Sequence, residues 1–273
     1  DLHRRRHSFP TRRSSDLVGA QARQVFADGQ QLLQKIIEGR WLSAHAVVGL
    51  FPANRVGDDI VLYCDESRTK PLLTWYGLRQ QTEKPVIEGV PRPSRCLSDF
   101  VAPVGSPDYV GCFAVTAGVG ADARAQAFEA AHDDYNAILL KALADRLAEA
   151  YAEYLHARVR TDLWGYASDE KLSGEDLIAE KYRGIRPAPG YPACPDHSVK
   201  REMFALLQCD DIAMGLTDSL AMTPASSVSG FYIGHPSSRY FNVGRIGEDQ
   251  VKDLAQRKGM ALTDVQRLLA PNL

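Results

Sequence analysis

The segment Arg183-Gly-Ile-Arg186-Pro-Ala-Pro-Gly190-Tyr191-Pro-Ala-Cys194-Pro-Asp-His197 holds the densest set of chemically useful side chains in the chain. Four prolines within nine residues leave the backbone few conformations, so a ligand that binds there orders little that is not already ordered. Proline has no N–H, which leaves Ala188 and Gly190 as donors between the rings and their carbonyls free to accept. Gly190 permits close backbone approach, Tyr191 offers a ring face and Arg186 a fork for a carboxylate. That combination suits a small zwitterionic or nucleoside-like ligand. The competing reading is a purely structural proline loop.

The same segment sets a thiol, a carboxylate and an imidazole within four residues at Cys194, Asp196 and His197. A metal site needs two or three further ligands, and the other histidines are scattered. No metal is therefore expected, and a thiol nucleophile activated by His197 is the weaker alternative. Gly118-Val119-Gly120-Ala121-Asp122-Ala123 matches the local pattern of a dinucleotide fingerprint after a strand. No second parallel strand ending in an acid follows, so a glycine turn into a helix is the expected reading. Arg146, Glu149, Glu153, His156 and Arg160 recur at helical spacing as one polar stripe, which is ordinarily a solvated face. There is no G-x-S-x-G and no phosphate-binding P-loop motif.

These residues need elements to carry them. Residues 18–38 have helical apolar spacing. Residues 46–51 read as a strand closed by Pro52, residues 54–59 as a turn, and 60–64 as a second, antiparallel strand. A helix is expected from Leu72 to Gln81, a loop-rich stretch over 83–107, and a strand over 109–116. From Asp122 to about Arg160 there is neither Gly nor Pro, and apolar residues repeat at 3.6 spacing, which predicts one long helix. Shorter helices are expected from Ser173 to about Tyr182 and over 199–207, and a strand pair over 228–233 and 239–243. Two helices close the chain, the last starting at Thr263 with a Thr263–Gln266 capping box. Few, widely spaced strands without βαβ alternation predict an α+β single domain with a largely antiparallel sheet.

Composition narrows the function classes. The chain has 273 residues, 45% hydrophobic and 24% charged, and a net charge of −2. That balance excludes wholesale disorder and offers no basic field for nucleic acid or an anionic membrane. No apolar run is long enough to span a bilayer. Five scattered cysteines without a C-x-x-C pair fit a reducing, cytoplasmic setting.

The segment "GIRPAPGYPACPDH" resembles the signature of the activation domain of cobalamin-dependent methionine synthase, the C-terminal module that binds S-adenosylmethionine. "VVGLFPANRVGDDI", "LRQQTEK", "LSDFVAP", "AHDDYNAILLKALADRLAEAYAEYLH", "SVSGFYIGHPSSRYF" and "RKGMALTDVQRLLAPNL" resemble it in the same order, over nearly all of residues 18–273. The resemblance implies a C-shaped domain with a twisted antiparallel sheet and flanking helices. It implies an enzyme that moves a methyl group from methyltetrahydrofolate to homocysteine through cobalamin. In it this domain binds S-adenosylmethionine for reductive methylation of cob(II)alamin, capping the cobalamin-binding module while flavodoxin or an equivalent reductase supplies an electron. Ligand contacts implied by motif are Glu149, Arg186, Ala188, Gly190, Tyr191, Tyr240 and Phe241, with no acid or base catalyst among them. A truncated docking module that binds little ligand is the alternative.

Residues 1–17, with five arginines and no apolar periodicity, read as a foreign or mis-joined segment. The family's domain begins earlier, with an aromatic-rich stretch whose Asp contacts the ligand. Residues 18–273 are therefore expected to be an N-terminally truncated activation domain.

Overall fold

The computed structural model describes residues 16–83, 89 and 92–273. Most of the segment read as foreign lies outside the described residues, as do 84–88, 90 and 91 of the loop-rich stretch. Helix α1 (Asp16–Gly39) leads into strand β1 (Ser43–Val56). Strands β2 (Asp59–Tyr63) and β3 (Pro71–Trp75) follow, then β4 (Tyr109–Val119) and helices α2 (Ala121–Ala130) and α3 (Asp134–Arg158). Helices α4 (Gly174–Ile178) and α5 (Lys200–Leu206), the short strands β5 (Gly215–Leu216) and β6 (Met222–Thr223), and strand β7 (Ser227–Tyr232) come next. Helices α6 (Glu248–Lys258) and α7 (Leu262–Leu268) close the chain.

The main sheet has the order β3-β2-β1-β4-β7, with every neighbouring pair antiparallel. This bears out the α+β reading. Strand alternation gives the sheet two different faces. Cys112 and Ala114 of β4 join Ile60, Leu62, Trp75 and Phe231 in the larger core, which α5 covers with Met203 and Phe204. Phe113 and Val115 point the other way, onto Ala152, Leu155 and Val159 at the end of α3. The sheet thereby fixes α3 over β4 and β7.

Several expectations are corrected. β1 does not stop at Pro52; it continues to Val56, because Pro52 pairs with Tyr109 at a position that the ladder tolerates and Ala53 donates onward to Asp108. The turn is only Gly57-Asp58, between paired Val56 and Asp59. Residues 71–75 are a strand, not the start of a helix: Leu73 and Trp75 alternate inward with period two. The long helix is two helices. Asp133 caps α3 by accepting from the Asn136 N–H at 3.1 Å, and His132 before it sits at φ +58°. A polar residue that can cap is a helix boundary even without Gly or Pro. Residues 239–243 form no strand. Instead Ile233 pairs with Ile185, bringing the proline-rich loop to the edge of β7. Helix α4 ends at Ile178, short of Tyr182, and α7 starts at Leu262 after Ala261, without the Thr263 capping box.

Candidate functional site

The proline-rich loop is laid along β7. Ile185 and Ile233 exchange both backbone hydrogen bonds at 3.0 Å, and the Phe231 N–H donates to the Pro187 carbonyl at 2.9 Å. The close approach explains Gly230 on β7: a Cβ there would lie 2.5 Å from the Pro187 oxygen. Arg186 therefore sits between two residues whose backbones are tied to the sheet. Its own N–H donates to the Tyr240 hydroxyl at 3.0 Å. Farther on, the Gly190 N–H donates to Cys194 and the Tyr191 N–H to Ala188, folding the loop into a tight turn.

A cleft of about 960 Å³ opens between this loop and α3. Arg186, Ala188, Tyr191, Tyr240 and Phe241 line one side and Glu149 the other, with Phe113 of β4 and Val228 of β7 at the base. The structure thus brings together six of the seven residues implied by the resemblance. Gly190 is not among the lining residues; its N–H is committed within the turn, and its Cα faces the His197 ring. Four carboxylates line the cleft, Asp145, Glu149, Glu153 and Glu180, against the guanidiniums of Arg146 and Arg186. The excess of negative charge favours a cationic ligand.

The polar stripe on α3 is not a uniform solvated face. At its start Arg146 and Glu149 form an exposed ion pair at 2.6 Å. One turn on, Glu153 Oε2 accepts from Arg186 at 2.6 Å. His156 and Arg160 are wholly buried. The His156 ring stacks on Tyr232 and meets Tyr182 edge-on, with centroids 5.1 and 5.0 Å apart. Arg186 donates to His156 Nδ1 at 3.1 Å and to the Tyr182 hydroxyl at 3.2 Å. Burial, reinforced by the Arg186 and Arg160 charges, holds the His156 imidazole well below its ordinary pKa, so it is neutral. For Arg186 burial opposes the charge, but Tyr240, Tyr182 and Glu153 outweigh it and raise the guanidinium pKa. Arg160 pairs with Glu170 and lies over the Tyr182 ring at 4.5 Å.

Cys194, Asp196 and His197 do not converge. Burial pushes the Cys194 thiol up to about 12, and its sulfur accepts from Trp75 Nε1 at 3.0 Å. Asp196 pairs with Lys258, while the His197 ring packs under Gly190. A thiol this hard to ionise is a poor nucleophile. The Gly118-Val119-Gly120 stretch ends an antiparallel strand, which excludes the dinucleotide-binding unit.

A family model described as vitamin B12 dependent methionine synthase, activation domain, matches residues 3–259. The chain belongs to this family. A solved structure described as the crystal structure of the MetH reactivation domain bound to AdoHcy is similar to it, at 55% identity and a TM-score of 0.88. The match covers 95% of this chain and 79% of that one. Activation domains of this family are parts of a methyltransferase, the cobalamin-dependent methionine synthase. In this activation domain the motif supplied neither Glu153, which lines the cleft beside Arg186, nor the buried His156 and Tyr182 that hold Arg186 from behind. Their signal was present: Glu149, Glu153 and His156 follow at i+4 and i+3, which puts them on one helix face. What the sequence does not tell is that this face turns inward at Glu153. No described helix is long and apolar enough to cross a membrane.

Proposed function

We propose that the cleft binds S-adenosylmethionine and presents its methyl group to a cobalamin carried by a separate module of the same enzyme, for reductive methylation of cob(II)alamin. The observation that carries this reading is the convergence of Glu149, Arg186, Ala188, Tyr191, Tyr240 and Phe241 on one cleft. The AdoHcy in the similar structure, the demethylated form of the same ligand, supports it. The cleft fits the ligand in size and charge: its volume lies at the upper end of the usual 300–1,000 Å³ for small-molecule sites. Its surplus carboxylates face a ligand with both a sulfonium and an ammonium.

Each residue has a role in placing the ligand. Arg186 takes the amino-acid carboxylate. Glu149, exposed at the rim, draws the ammonium or sulfonium end. The Ala188 backbone reads the adenine edge, with Gly190 shaping the turn that presents it. Tyr191, Tyr240 and Phe241 pack against the ligand. No acid or base is needed, because the sulfonium is already a leaving group; the work of the protein is placement. When present, cobalamin supplies the methyl-accepting cobalt, after flavodoxin or an equivalent reductase has provided an electron. On this reading the chain alone does not complete methionine synthesis. Its free cysteines fit a cytoplasmic setting.

Calorimetry tests the reading. S-adenosylmethionine should bind one site, and Arg186→Ala should weaken it by about 1.5–3 kcal/mol, the usual value of a charge-assisted hydrogen bond. Equal affinity for both proteins would remove Arg186 from the site. Absence of binding to the wild type would favour the docking-module alternative.

A further inference from the structure

We propose that His156 is a positioning residue for ligand recognition: without touching the ligand, its Nδ1 fixes the plane of the Arg186 guanidinium so that it meets the amino-acid carboxylate edge-on. The inference rests on the reading that Arg186 binds that carboxylate.

A guanidinium has donors only, so in the 3.1 Å contact the Nδ1 of His156 must be the acceptor. The imidazole is therefore neutral, with its proton on Nε2, a buried atom with no hydrogen-bond partner among the described residues. A histidine kept in that tautomer at the expense of an unpaired N–H has its useful atom at Nδ1. The ring cannot turn, because Tyr232 stacks on one face at 5.1 Å and Tyr182 meets it edge-on. His156 is wholly buried, so the ligand does not reach it.

The choice of a neutral acceptor also matters. Arg186 already faces one carboxylate, Glu153, at 2.6 Å. A second carboxylate in place of His156 would add a negative charge that repels the ligand's own. With one charged and two neutral acceptors, the last being the Tyr182 hydroxyl, the fork is held at several points without a second anion beside it. Long arginine side chains otherwise lose rotamer entropy on binding, and prior fixing avoids that loss.

The test compares AdoHcy with its decarboxylated analogue, S-adenosyl-3-thiopropylamine, by calorimetry on the whole chain. The quantity read is the ratio of the two affinities, which does not depend on the fraction of protein folded. In the wild type AdoHcy should bind more tightly. In His156→Phe, which keeps an aromatic ring between Tyr232 and Tyr182 but has no acceptor, the ratio should fall about tenfold, the lower bound for a hydrogen bond to a charged group. His156→Asn places its amide oxygen near the former Nδ1 and should restore most of the ratio. His156→Gln reaches the Nε2 position instead and should not; this pair decides the matter if the phenylalanine variant does not fold. An unchanged ratio in His156→Phe, or an asparagine variant no better than the glutamine one, overturns the inference. A wild type that binds AdoHcy and the analogue equally, or binds neither, overturns the carboxylate role of Arg186 as well.

Discussion

Arg186 is the residue on which the other side chains of the site converge. It is anchored through its neighbours' backbones to β7, through its own N–H to Tyr240, and through its guanidinium to Glu153, His156 and Tyr182. The neutral state of His156 has a consequence for stability. An unfolded histidine protonates near the ordinary imidazole value of about 6.5, whereas the folded one resists protonation. The folded pKa is the lower one, so the stabilisation is fully present above about pH 6.5 and is lost as pH falls below it. One proton taken up only on unfolding corresponds to a slope of about 1.4 kcal/mol per pH unit. His197, also lowered by burial and by Lys200, acts in the same sense. Urea denaturation between pH 7 and pH 5 should show stability falling, and His156→Phe should remove about one proton's share of the slope. An identical slope in the variant would mean that His156 is charged in the fold.

At the scale of elements, the motif and the elements that carry it differ in how far the sequence reveals them. The order of strands and helices around the site is legible because apolar periodicity reports burial directly: β4 and α1 fall where their patterns place them. Three misreadings have physical causes. Residues 71–75 form a run too short for its apolar spacing to separate a buried strand from a helix start; the turn residues around it, Ser67, Pro71 and Gly77, are the signal that favours the strand. The break between α2 and α3 is made by a side-chain cap: Asp133 accepts from the Asn136 backbone N–H, and the Asn136 side-chain amide donates to its other oxygen. The pairing of Ile185 with Ile233 is a contact between residues 48 apart, invisible to local pattern, and yet it seats Arg186. The cap is testable. Asp133→Ala should cost about 0.5–2 kcal/mol of stability, as loss of an N-cap side chain does, with little change in ligand affinity. Thermal unfolding of the variant would check this; an unaltered melting temperature would mean that the boundary is held by packing of α1 and α2 instead.

For the whole molecule, the sheet divides the work. One face, with α5, makes the larger core, and the other carries α3, whose buried end anchors the site while the exposed Arg146–Glu149 turn in its middle forms the rim. The proline-rich loop is held to the outer edge of the same sheet, so both walls of the cleft refer to one rigid frame. Such a frame suits a protein whose contribution to methyl transfer is placement rather than proton transfer. The exposed Ile178 and Tyr191 at the rim, 85% and 51% accessible, leave that side open to a separate module. The family motif makes the proposed ligand contacts legible as a set, but only the fold shows that six of them share a cleft and that Gly190 lies in the turn instead of lining it. The most direct measurement is a crystal structure of this chain with AdoHcy. It should show the ligand in the cleft between α3 and the proline-rich loop, its carboxylate on Arg186 and its adenine against the Ala188 backbone. A ligand bound elsewhere, or one whose carboxylate turns away from Arg186, would contradict the account.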